Sequence, residues 1–302
     1  MIVVESGASP LILCLPHAGA DVPPAIDKRL SATGRLQTDI SWRLEQVLDL
    51  AGELDATIVR STVSRYVIDV DQDPNPSAPA SKTGCDALCP VTTLDMKRIY
   101  KPHEEPGPIE IEQRGYLFHQ PFHQALVQEI ARVRAIHGYC VLVDCKSSRS
   151  KGRGGMDENV PVINVSTAGG QAGLADMQEV FTRTFDGLGG FSVDVNSALA
   201  DGFILRAYGA PDRGIHALGL SIAQRSYLRH ESPPYEPDRA RIARMKMVLA
   251  DAFTQCLDWA LAYQENAPVP SEEPADDSSG FLSQGLELDL DFDVFAPPLV
   301  AE

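Results

Sequence analysis

The stretch Tyr139-Cys140-Val141-Leu142-Val143-Asp144-Cys145-Lys146-Ser147-Ser148-Arg149 decides how the rest of the chain is read. An apolar run without alternation is what a strand buried on both faces requires. It ends abruptly in charged and hydroxylated residues. In open α/β sheets, ligands bind beyond the carboxyl ends of such strands. Working outward, Leu11 to Pro16, Thr57 to Arg60, Tyr66 to Val70, Val162 to Val165, Phe191 to Val195, Phe203 to Arg206 and Ala217 to Ile222 also read as strands. Helical periodicity runs through residues 39–54, 121–136, 174–185 and 239–263, with Gly138 as the stop of the second. Residues 73–110 are rich in Pro and turn formers and read as a long functional loop. Strands alternating with helices, without internal repeats, predict a three-layer α/β domain with a mixed, largely parallel sheet.

The chain has 302 residues and a formal charge of −16. The acid excess argues against nucleic acid or an anionic membrane as partner, since both need a basic face. No apolar run approaches the roughly 18 residues of a membrane span. The opening residues Met1 to Ser6 lack a secretory pattern, so a cytoplasmic protein is expected. The six cysteines fit that compartment. Cys14 and Cys140 lie in apolar runs, and Cys85 and Cys89 have no second pair at zinc-module spacing. From Asn266 to Glu302 there are nine acids and no Lys or Arg, so residues 1–265 read as the folded domain and 266–302 as a disordered acidic tail. Leu286, Leu288, Leu290 and Phe292 alternate with acids there, so the tail reads either as a solubilising segment or as one that docks on a protein partner.

Candidate site residues follow the strands. These are His17 after the first, Asp69 and Asp71 after Tyr66–Ile68, Asp144 to Arg149 after the central strand, and Arg206 and Tyr208 after Phe203–Leu205. Taken alone they indicate a hydrolase or a ligand-binding domain. In order, Pro16-His17-Ala18-Gly19, Thr38-Asp39, Ser64-Arg65-Tyr66-Val67-Ile68-Asp69, Leu88-Cys89-Pro90, Pro121-Phe122-His123, Asp144-x-x-Ser147-x-Arg149-Ser150, Arg206-x-Tyr208-Gly209 and Gly214-Ile215-His216-Ala217-Leu218 with Tyr227 resemble the N-formylglutamate amidohydrolase family over about residues 10–231.

The resemblance implies a zinc-carboxypeptidase-like (phosphorylase/hydrolase-like) fold. It also implies metal-assisted hydrolysis of N-formyl-L-glutamate to formate and glutamate, with zinc as the family's metal. Carried over residue by residue, it makes His17 and Asp39 a remnant metal site whose third position is Lys146, which cannot ligate while protonated. The family's base position is Ser221, which is no base near neutral pH. Its substrate clamp reads Asp69-Val70-Asp71-Gln72, and an expected Arg is Ala198. Arg65, Arg149 and Arg206 remain as cations, and Asp69, Asp71, Asp144, Lys146, Ser147 and Tyr208 complete the expected pocket. We expect the Lys146 charge to lie between Asp39, Asp144 and His17 in place of a metal ion.

Ligand, base and clamp positions depart together while the framework persists. The favoured expectation is therefore a family member with weak or lost deformylase activity that binds a small anionic or amide-bearing ligand or a partner. Alternatives are a working amidohydrolase of altered substrate or metal use, with Asp144 as a third ligand, and a protein acting through its tail. Asp39 as a cap of a helix near Ile40 is a competing role for that residue. A Ser147–Lys146 pair or Cys145 as nucleophile, His119 and His123 as metal ligands, and glycine-rich anion loops at Gly152-Arg153-Gly154-Gly155 and Gly169-Gly170 are weaker readings.

Overall fold

The computed structural model describes residues 1–75, 85–150 and 160–266. The acidic tail, the Gly152–Gly155 motif and part of the 73–110 loop therefore lie outside the described residues. Seven strands form one sheet. They are β1 (Ile2–Glu5), β2 (Leu11–Leu15), β3 (Thr57–Ser61), β4 (Cys140–Ser148), β5 (Ile163–Ser166), β6 (Val193–Val195) and β7 (Ile215–Ala223). Their order is β1-β3-β2-β4-β7-β5-β6, and only the β1–β3 and β5–β7 pairs are antiparallel. The helices are α1 (Pro24–Asp27), α2 (Ala32–Arg35), α3 (Leu44–Val47), α4 (Ala51–Leu54), α5 (Pro108–Arg114), α6 (Gln120–His137), α7 (Ala175–Arg183), α8 (Phe203–Tyr208) and α9 (Arg239–Asn266).

Alternate residues of the central strands feed two cores, which makes the three layers. Leu11, Leu13, Val141, Val143, Leu218 and Leu220 pack with Met177 and Phe181 of α7 and Leu249 and Phe253 of α9. Ile12, Cys14, Leu142 and Ala217 face the other way, onto Phe122, Leu126, Ile130 and Val133 of α6. The three- and four-residue spacing of those α6 side chains keeps them on one helix face. Fully burying each contributes about 1.5–3 kcal/mol. Because β2, β4 and β7 are parallel, their carboxyl ends meet on one side of the molecule.

Two expected strands are not strands. Residues 66–70 form a loop whose carbonyl oxygens are taken by side chains from elsewhere. Tyr100 Oη donates to Tyr66 O (2.8 Å) and Arg114 Nη1 to Val67 O (2.8 Å), while His123 Nε2 bonds Val70 O (2.8 Å) and His119 Nε2 bonds Gln72 O (2.9 Å). Backbone groups satisfied this way need no sheet partner. Arg114, His119 and His123 reach the same loop because a π-helical turn, Gly115–His119, joins α5 to α6. Its extra residue per turn brings positions five apart onto one face, and His119, the last residue of that turn, is then four before His123 of α6. Phe203–Arg206 is the start of α8, because the Asp71 carboxylate, distant in sequence, accepts from Ile204 N (2.9 Å) and so satisfies an amide at the helix's amino end. The periodic segment 39–54 is broken into α3 and α4, and residues 2–5, which carried no strand reading, pair with β3.

Candidate functional site

The carboxyl ends of β2, β4 and β7 open into a cleft of about 290 Å³. His17 enters it after β2, Lys146, Ser147 and Arg149 at the end of β4, and Ser221 and Gln224 at the end of β7. Asp39 reaches the same cleft from the loop after α2, where Ser41 N donates to His17 O (2.9 Å). Arg65 and Asp71 come from the strapped loop, and Arg206 and Asp201 stand at α8. The imidazole, carboxylate and amine of His17, Asp39 and Lys146 thus border one space.

Three charge groups organise it. The Lys146 ammonium donates to Asp71 Oδ2 (2.6 Å) and Asp201 O (3.2 Å), and stands 2.8 Å from Asp144 Oδ2. Burial works against a charged Lys146, but Asp144 and Asp71 outweigh it and raise the affinity for the proton. Burial first, and the Asp71 charge second, push the Asp144 carboxyl upward. Gly202 permits the approach of Asp71, since a Cβ there would lie 2.1 Å from Asp71 Oδ2. In the second group His17 Nε2 lies 2.6 Å from Asp69 Oδ1, while Arg65 donates to Asp69 Oδ2 (2.5 Å). Although burial raises the Asp69 pKa, Arg65 and His17 hold this carboxyl well below the ordinary range. In the third, Asp39 Oδ2 accepts from Tyr66 Oη (2.8 Å) and Leu94 N (2.9 Å), and Arg149 bridges Asp95 (2.6 Å) and Asp39 (3.5 Å).

Several expectations need correction. The Lys146 charge lies on Asp71 and Asp144, not between Asp39 and His17, because Asp39 is already held by Tyr66, Leu94 and Arg149. Asp39 caps no helix, since α3 begins only at Leu44. Asp69, Asp144 and Tyr208 do not line the cleft. Asp69 and Asp144 are buried beneath it as counter-charges, and Tyr208 Oη pairs with His123 Nδ1 (2.7 Å) behind the loop. Arg206 stands at the rim, half exposed and paired with Asp201 (2.7 Å). Ser147 Oγ accepts from Tyr227 Oη (2.7 Å) and Lys146 is spent on carboxylates, so no Ser–Lys nucleophile pair is formed. Cys145 is buried in the core, and burial pushes its thiol up, away from thiolate chemistry. His119 and His123 serve the loop carbonyls, and Gly170 N is spent on Thr167 O (3.1 Å) in a turn.

Asp95, Asp201 and Gln224 belong to the cleft and escaped the sequence reading. Gln224 directly follows β7, so the rule that found His17 applied there too. Asp95 lies in the Pro-rich loop, where nothing local marks it.

The model of the N-formylglutamate amidohydrolase family matches residues 9–228. The chain belongs to the N-formylglutamate amidohydrolase family. It is 31% identical over 261 residues to the N-formylglutamate deformylase of Pseudomonas aeruginosa, spanning 84% of this chain and 95% of that protein. The deformylase of Pseudomonas putida is 30% identical over 262 residues, with the same shares. The crystal structure of an N-formylglutamate amidohydrolase from Ralstonia eutropha JMP134 superposes with a TM-score of 0.70 at 17% identity, covering 87% of this chain and 98% of that one. A gene product of Agrobacterium tumefaciens superposes at 0.65 with 20% identity, covering 87% and 96%. These two structures support the mixed, mostly parallel α/β fold.

Zinc, the metal that the resemblance implies, is not fitted by the residues present. Catalytic zinc takes three protein ligands. Lys146 at the third position is an ammonium locked between two carboxylates, and it has no lone pair to offer. Among the described residues, no group of three or more His, Cys, Asp or Glu is arranged to hold a metal.

Proposed function

We propose that this N-formylglutamate amidohydrolase-family chain binds a small amide-bearing ligand in the cleft without metal-dependent hydrolysis, its deformylase activity weak or lost. The observation that carries this reading is the Lys146 ammonium, 2.6 Å from Asp71 and 2.8 Å from Asp144. An internal cation neutralises the buried carboxylates and opposes a divalent ion in the same space. Ser221, at the family's base position, has no carboxylate to accept a proton from water. A zinc-carboxypeptidase-like arrangement of the layers belongs to the same proposal, supported by the mixed seven-stranded sheet. So does a cytoplasmic location, supported by six buried cysteines that form no disulfide among the described residues.

One observation favours the second reading, a working amidohydrolase of altered substrate or metal use. His17 and Asp39 still border one cleft, with Asp69 orienting the imidazole. Metal content of the purified full chain, measured beside formate release from N-formyl-L-glutamate with and without added zinc, separates the two. We expect substoichiometric metal and no formate above background. Tightly held equimolar metal, or formate release that added zinc stimulates, overturns the first reading.

A further inference from the structure

We infer that the cleft takes a ligand with a cationic donor group, an ammonium or guanidinium, in preference to a dicarboxylate. This deepens the proposed function and rests on the reading that the cleft is a binding site.

The charge balance comes first. Among the described residues the lining and its floor hold four cations against seven carboxylates. Each cation already has a carboxylate within 2.8 Å: Arg65 with Asp69, Lys146 with Asp71, Arg149 with Asp95 and Arg206 with Asp201. An incoming carboxylate would have to compete with these partners and would meet a net negative field. The undescribed internal stretches do not reverse the sign in formal charge: residues 76–84 carry one Lys, and 151–159 carry two cations and two acids.

Unpartnered acceptors point the same way. Gln224 is fully buried and borders the cleft. Its Nε2 donates to Ile40 O (2.8 Å), which fixes the amide orientation, and its Oε1 has no partner among the described residues. A buried acceptor without a donor is costly, and a donor-rich ligand supplies what it lacks. Asp95 and Asp201 at the rim each engage Arg149 or Arg206 through a single oxygen, leaving the other to accept.

The test uses two probes sharing one formyl amide: N-formyl-1,4-diaminobutane, a monocation, and N-formyl-L-glutamate, a dianion. Calorimetric titration of the full chain at low salt should find the monocation bound at least roughly tenfold more tightly, with affinity falling as salt is added. Asp95→Asn should weaken the monocation and strengthen the dianion, whereas a merely structural effect would weaken both. Equal or tighter binding of the dianion, no binding of the monocation, or parallel weakening of both by D95N overturns the inference. Formate release from either probe that added zinc stimulates instead overturns the metal-free reading, whichever binds more tightly.

Discussion

The paired strands β4 and β7 carry buried polar groups at both ends, and the two ends treat them differently. At the carboxyl end, the charges of Lys146, Asp71 and Asp144 are matched against one another, and Arg65 and His17 flank Asp69. Near the amino end, His216 is buried opposite Val141, its ring nearly perpendicular to the stacked rings of Trp259 and Tyr263 at 5.3 and 5.2 Å, with neither ring nitrogen hydrogen-bonded among the described residues. A paired network in a low-dielectric interior fixes geometry but is costly to break. A bare buried imidazole fixes nothing and simply stays neutral. Polar burial thus marks a site only where the groups constrain one another and border open space.

The sharpest way to break the comparison is to remove the cation that serves two acids. Lys146→Met should lower stability by about 3–5 kcal/mol, because it leaves Asp71 and Asp144 buried without their counter-charge. Chemical denaturation measures this directly. Adding Asp71→Asn and Asp144→Asn should restore most of the loss. A Lys146→Met protein as stable as the parent would mean that the carboxylates are not ionised together with the amine.

A smaller effect is expected from the straps that hold the site loop. His123→Phe keeps the ring volume against Phe122 and Phe203 but strips Val70 O and Tyr208 Oη of their partner. The expected cost is about 2 kcal/mol. Hydrogen exchange should quicken at residues 69–72 more than in β4, since those amides open with the loop rather than with the core. Uniform quickening would make His123 an ordinary core residue.

These straps also explain what the sequence conceals. The buried runs of β2, β4 and β7 were legible because continuous apolar residues suit a strand covered on both faces, and His17 and Lys146 followed from their position after such runs. Residues 66–70 and 203–206 carry the same local signature and are not strands. Their conformation is decided by Tyr100, Arg114, His119 and His123 in one case and by Asp71 in the other, contacts between residues 34 to 133 positions apart. The identity of the acids around Lys146 was hidden for the same reason. Asp39 and Asp71 are equally plausible partners by composition, and only the competing hydrogen bonds from Tyr66 and Leu94 assign Asp39 elsewhere.

The smallest effect belongs to His216, and it sharpens the contrast by its pH dependence. Burial lowers its pKa from about 6.5 to about 4. The unfolded chain therefore binds the proton more readily than the folded one. Stability from the neutral ring is full above the unfolded pKa and is lost as pH falls from about 6.5 towards 4, at about 1.4 kcal/mol per unit. His216→Phe removes this linkage while keeping an aromatic ring against Trp259 and Tyr263. Comparing the two proteins by denaturation at pH 7.5 and about pH 5.5, the parent should lose about 1.4 kcal/mol more than the variant. Parallel losses would show that His216 finds a hydrogen-bond partner or water when protonated, and the two ends of the strand pair would then differ only in degree.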